Sequence, residues 1–126
     1  MSPKVVDLHV EAVDSDVCSF PTLLNAKPDA IVRDSFVLLS PEKGGSESIT
    51  MGYTVVYPGC RTRGHQHADL EEAYFVVKGR GTAVVGEEEF EISQGSAFYV
   101  PFGKFHAVKN PYKTCLEYVW AIAPKR

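Results

Sequence analysis

Residues 59–79, GCRTRGHQHADLEEAYFVVKG, decide how this chain is read. His65-Gln66-His67 sits between glycine punctuation and a run of β-branched and aromatic residues. In an extended strand, residues two apart point to one face, with Cα atoms roughly 6.6 Å apart. Two imidazoles so placed can approach one metal ion together. A carboxylate follows almost at once in the run Leu70-Glu71-Glu72-Ala73-Tyr74, which opens the next strand.

Outward from this stretch the chain keeps the same texture. From about residue 45, apolar runs rich in Val, Ile, Tyr and Phe alternate with Gly or Pro at short intervals, the pattern of antiparallel strands in a sandwich or barrel. The expected strands are 49–57, 62–67, 72–78, 81–86, 89–92, 97–100, 105–109 and 115–123. Lys78-Gly79-Arg80-Gly81 reads as a tight hairpin, and Gly86-Glu87-Glu88 as a second turn. Before residue 45 the text is mixed: an apolar alternation around Val5 to Val10, a short helix near Thr22 to Asn25, and a strand-like run from Phe36 to Leu39. We therefore divide the chain into an N-terminal arm, 1–45, and an all-β barrel, 46–126.

The chain has 126 residues, a size at which one domain is expected and roughly two-thirds of the unfolded surface is buried. Hydrophobic residues make up 44% and charged residues 23%, which excludes bulk disorder. The net charge of −3 argues against nucleic acid or an anionic membrane as partner. No apolar run is long enough to span a bilayer as a helix, and the N-terminus carries no secretory signal pattern. Cys18, Cys60 and Cys115 are odd in number and far apart, as expected of reduced thiols in the cytoplasm.

Three of the four histidines, His65, His67 and His106, lie in the Gly-rich half. His106 follows the turn Pro101-Phe102-Gly103, and a barrel can bring strands this distant in sequence around one interior. Three neutral imidazoles and one carboxylate suit Fe, Mn, Ni, Cu or Zn, and an octahedral ion so held keeps two positions open for water, oxygen or substrate.

On these residues the chain resembles the cupin superfamily, whose two sequence motifs are both present. The first runs from Gly59 through His65, His67 and Glu72 to Gly79; the second is Gly95, Pro101, Gly103, His106 and Asn110. The resemblance covers about residues 49–123. It implies a double-stranded β-helix, the jelly-roll barrel, holding one divalent transition-metal ion through His65, His67, Glu72 and His106. Glu71 fits a shorter version of the first motif, but only Glu72 leaves six residues before Gly79. The stretch from Gly64 to Gly81 also resembles the metal-dependent cupin sugar-phosphate isomerases, for which this chain is short.

Strand parity suggests the rest of the site. Arg61 and Arg63 share parity with His65 and His67, and Lys104 shares it with His106, so these cations are candidates for binding an anionic substrate. Trp120 lies on the bulkier face of the last strand, with Leu116, Tyr118 and Ile122, and is a further substrate-binding candidate. Tyr74 and Tyr53 are the candidate acid or base hydroxyls. The expected function is a metal-dependent enzyme acting on a small, oxygen-rich, anionic compound as a dioxygenase, isomerase or lyase. The alternative is a non-catalytic, metal-assisted binding protein. The apolar patches of the arm (Val5, Val6, Leu8 and Val10; Phe36 to Leu39) need cover, so a homodimer is expected.

Overall fold

A computed structural model describes residues 33–125, together with Val13–Asp14 and Ala30–Ile31. The early alternation near Val5, the short helix near Thr22, and His9 and Cys18 lie outside the described residues.

All regular structure among the described residues is β. The strands are β1 (Val13–Asp14), β2 (Ala30–Ile31), β3 (Arg33–Leu39), β4 (Thr50–Val56), β5 (Cys60–Arg61), β6 (His65–Gln66), β7 (Leu70–Lys78), β8 (Arg80–Val85), β9 (Glu88–Ser93), β10 (Ala97–Val100), β11 (Phe105–Lys109) and β12 (Leu116–Pro124). Among the described residues, no helix is long and apolar enough to cross a membrane.

Two sheets face each other. One runs β1-β3-β4-β12-β7-β10; the other runs β2-β5-β11-β8-β9, with β6 pairing on β11. Among the described strand-to-strand pairings only β2–β5 is parallel, and an isolated Ser40–Gly44 bridge is parallel as well. Neighbours in each sheet are mostly distant in sequence, as the jelly roll requires. The run Phe36 to Leu39 extends back to Arg33 and pairs along β4, so part of the segment before residue 45 belongs to the larger sheet.

Alternation puts one face of β4 and β7 inside. In β7, Glu72, Tyr74 and Val76 are buried while Ala73 and Phe75 are exposed. In β4, Gly52, Thr54 and Val56 are the buried set. Val56, Val76, Val100 and Leu116 form the fully buried apolar centre between the sheets. Each such side chain stabilises the fold by roughly 1.5–3 kcal/mol through removal from water.

Two small residues let the sheets close. Gly79 turns β7 into β8 at φ +82°, and a β-carbon there would run into the Cys115 carbonyl. Gly52 leaves room for the Trp120 indole, which a β-carbon would strike. Asn110, wholly buried, ends β11 as the Asn-Pro pair suggests. Its amide donates to the carbonyls of Val56 (3.0 Å) and Thr114 (2.7 Å), and its side-chain oxygen accepts from the Tyr112 backbone (3.1 Å). The lower end of the barrel is thus closed by one satisfied polar side chain.

Candidate metal centre

The site lies between the sheets at the other end of the alternation. Glu72 and Tyr74 reach in from β7, and His106 reaches in from β11. His65 stands beside His106 because β6 pairs antiparallel with β11, with His65 opposite His106. His67 follows just after β6, where its backbone carbonyl accepts from the Gly103 amide at 2.7 Å. That bond ties the histidine pair to the Pro101–Gly103 turn, which in turn sets His106.

The three imidazoles converge. Ring centroids are 5.6 Å apart for His65–His67, 5.9 Å for His65–His106 and 5.6 Å for His67–His106. Glu72 Oε2 lies 2.8 Å from His106 Nε2 and 3.8 Å from His67 Nε2. His67, Glu72 and His106 present ligand atoms within 4.8 Å of one another, close enough to share one ion. The other carboxylate oxygen of Glu72 is fixed by the Tyr74 hydroxyl, which donates to Oε1 at 2.9 Å. Oε2 is buried and receives no directed hydrogen bond. A buried carboxylate oxygen in this state costs stability unless a cation meets it. The donor set, two or three imidazoles around that oxygen, is chemically suited to a divalent transition ion.

The electrostatics keep the donors in ligand form. Burial lowers the His65 pKa below the ordinary 6.5, and Arg33, His106 and His67 add to this while Glu72 opposes it. Burial would raise the Glu72 carboxyl, but His106, Tyr74 and His67 together bring it below its ordinary value of 4.5. Both groups are therefore deprotonated at neutral pH. Burial, with the nearby Tyr118 and Glu72, pushes the Tyr74 phenol well above 10.

An open cavity of about 160 Å³ adjoins these residues. Its walls include His65, His67, Glu72, Tyr74, His106, Tyr118, Trp120 and Ile122. The last-strand stripe thus divides by position: Leu116 is core, Tyr118 belongs to the core and also lines the cavity, and Trp120 and Ile122 line the cavity. Trp120 donates its indole N–H to Thr54 Oγ1 at 2.9 Å.

Four expected site residues are elsewhere. Arg61 and Arg63 do not line the cavity; Arg63 is exposed, and Arg61 donates from Nε to the Thr62 carbonyl at 3.2 Å. The parity reading assumed one strand over 62–67. The chain instead breaks at 62–64, where Gly64 adopts φ +91°, and this resets the alternation. Lys104 precedes β11, is exposed, and lies over Gly86 in a separate cleft with Glu87 and Glu88. Tyr53 is on the outer face of β4, where it donates to Glu117 Oε1 at 2.8 Å. Glu71 also points outward and accepts from the Tyr99 hydroxyl at 2.7 Å.

Sequence reading missed Arg33, Ser35 and Thr54, which also line the cavity. Their signal is the alternation in β3: Arg33, Ser35 and Val37 share the inward face, and Ser35 Oγ lies 3.1 Å from Thr54 Oγ1. Starting that strand at 36 rather than 33 hides it.

The comparisons with known proteins agree with this architecture. The cupin domain family model matches residues 52–122. An uncharacterized protein, MJ1618, of Methanocaldococcus jannaschii is 33% identical over 86 residues, covering 67% of this chain and 65% of that protein. A glucose-6-phosphate isomerase of Thermococcus litoralis is 33% identical over 86 residues, covering 58% of this chain and 44% of the isomerase. The chain thus spans less than two-thirds of the length of either relative. The crystal structure of a cupin 2 conserved barrel domain protein from Rhodopseudomonas palustris superposes with a TM-score of 0.70 at 18% identity, over 93% of this chain and 75% of that one. With the two-sheet barrel and the family match over more than half its length, this chain belongs to the cupin family.

Proposed function

We propose that this cupin is a metal-dependent enzyme in which His65, His67, Glu72 and His106 hold one divalent transition ion (Fe, Mn, Ni, Zn or Cu). Its substrate is a small, oxygen-rich, anionic organic compound bound in the adjoining cavity. The observation that carries this reading is Glu72 Oε2, buried without a directed hydrogen bond between two imidazole nitrogens. When bound, such an ion supplies Lewis-acid or dioxygen chemistry, which covers dioxygenase, isomerase and lyase reactions.

The chain's own residues divide the remaining work. The lowered pKa of His65 keeps its ring lone pair available. Tyr74 fixes Glu72 through Oε1 and leaves Oε2 turned to His106 and His67, so it is a positioning residue. Trp120 and Ile122 form an apolar wall that limits water around a bound substrate.

The isomerase branch draws support from the likeness to the Thermococcus litoralis glucose-6-phosphate isomerase. One observation favours the non-catalytic binding reading instead: the Tyr74 hydroxyl is already donated to Glu72 and held protonated by burial. Oxygen consumption across keto acids and diketones, run beside sugar-phosphate interconversion, separates the branches. Turnover in either supports an enzyme, and silence in both with tight ligand binding supports the binding module. We further propose a cytoplasmic homodimer. Exposed Phe75 and Tyr99 on the outer face of the sheet that carries β7 and β10 support the dimer.

A further inference from the structure

In the run Ala97-Phe98-Tyr99-Val100, alternation turns Phe98 and Val100 to one face of β10. The antiparallel register sets Phe98 opposite Tyr74 and Val100 opposite Glu72. The Phe98 and Tyr74 rings lie parallel, with centroids 4.6 Å apart and an interplanar angle of 2°. The other aromatic neighbours of Tyr74 among the described residues meet it at an angle: Tyr118 at 5.3 Å and 56°, His106 at 6.2 Å and 59°. Phe98 is itself backed by Phe90, whose ring stands edge-on to it at 5.7 Å. Phe90 comes from β9, the last strand of one sheet, and β10 is last in the other. The three rings therefore bridge the two sheets at one edge of the barrel.

This stack bears on the Glu72 carboxylate. Tyr74 and Glu72 are two residues apart on one strand face, with Cα atoms roughly 6.6 Å apart. The Tyr74 hydroxyl reaches Glu72 Oε1, at 2.9 Å, only from ring orientations turned toward Glu72. A parallel ring packed on one face of the phenol opposes rotation out of such an orientation. Phe98 does not line the cavity beside the imidazoles; it lines a separate cleft with Phe90, Val85 and Pro101. The route from Phe98 to the donor set is the Tyr74 ring.

We propose that Phe98 is a positioning residue of the metal centre: its ring holds the Tyr74 phenol in the orientation that hydrogen-bonds Glu72 Oε1, and so leaves Oε2 turned to the imidazoles. The assignment rests on the metal reading proposed above, and metal-free crystal structures separate the two. The probe is zinc alone, its affinity measured on the full chain by competition with a fluorescent chelator. Wild type is compared with Phe98→Leu, Phe98→Tyr, Tyr74→Phe and the double variant Phe98→Leu/Tyr74→Phe. Circular dichroism and the thermal midpoint are recorded for each.

Phe98→Leu lowers zinc affinity roughly three- to tenfold, the scale of one aromatic pair. Phe98→Tyr, which keeps the ring, binds zinc within about twofold of wild type. In the Tyr74→Phe background the hydroxyl is already gone. Phe98→Leu therefore changes zinc affinity less than about twofold there, although it lowers the thermal midpoint in both backgrounds. Unchanged zinc affinity in a folded Phe98→Leu overturns the assignment. An equal fold-loss in both backgrounds also overturns it, because the effect then bypasses the hydroxyl, and so does a Phe98→Tyr variant as weak as Phe98→Leu. If wild type binds neither zinc nor another transition ion, the metal reading fails, and crystal structures of metal-free wild type and Phe98→Leu decide. A Tyr74–Glu72 hydrogen bond present in wild type and lost in Phe98→Leu upholds the assignment; one kept in both, or absent from both, overturns it. If Phe98→Leu does not fold, Phe98→Met takes its place in every arm.

Discussion

His106 Nε2 stands 2.8 Å from Glu72 Oε2, and the two residues come from opposite sheets of the barrel. A second imidazole, His67, has its Nε2 at 3.8 Å from the same buried oxygen. The fold brings them together through its strand ladders: Glu72 is held by β12 and β10, and His106 by β6 and β8.

Tyr74→Phe removes the hydroxyl that fixes Glu72 Oε1 without emptying the core position. A hydrogen bond to a charged group is worth about 2 kcal/mol, so the thermal midpoint falls. Metal affinity falls about 10- to 100-fold, as is usual when the partner that orients a ligand is lost. Competition with a fluorescent chelator measures this. An unchanged affinity would show that Glu72 is oriented by other contacts.

Asn110→Ala strips three hydrogen bonds, one to the buried Val56 carbonyl and two to the part-buried backbone of Tyr112 and Thr114. The expected loss is about 3 kcal/mol, read by urea unfolding, with metal content per folded chain unchanged. A loss below about 1 kcal/mol would mean that water replaces the amide.

Acid destabilises the chelator-treated protein in two stages. The folded pKa values of His65 and Glu72 both lie below their ordinary values, so the unfolded chain binds more protons just beneath 6.5 and then just beneath 4.5. Stability is greatest above those values and declines as pH falls through each window. Metal release should accompany the first stage, since ligand imidazoles must be neutral. Thermal midpoints between pH 8 and pH 4 test this; a midpoint that rises on acidification contradicts the sign.

A homodimer predicts twice the chain mass at micromolar concentration by light scattering. Phe75→Glu, which places a charge on the exposed outer face, should shift the protein toward monomer without unfolding it. A wild-type monomer at that concentration refutes the dimer.

Most of the barrel strands were legible because the buried-exposed alternation of β7 and β12, and the glycines at their turns, are properties of local sequence. The grouping of His67, Glu72 and His106 follows the motif spacing, and the His65 ring lies 5.6 Å from that of His67 and 5.9 Å from that of His106. What escaped was the effect of a single residue on parity. Gly64 at φ +91° breaks the strand between Arg63 and His65, so the arginines chosen by parity are not cavity residues. The cavity arginine was hidden because Arg33 enters through the far end of a strand whose partner in β4, Val56, is distant in sequence, and no local pattern announces that pairing. Tyr53 shows the same limit: its strand was expected, but which face looks inward is set by the opposing sheet.

The central claim is tested most directly by elemental analysis of protein purified without chelators and then dialysed against a mixture of Fe, Mn, Ni, Cu and Zn. Wild type should carry close to one transition-metal ion per chain, and folded His67→Ala and His106→Ala should carry close to none. No bound metal in the wild type, or equal content in wild type and both variants, would contradict the account.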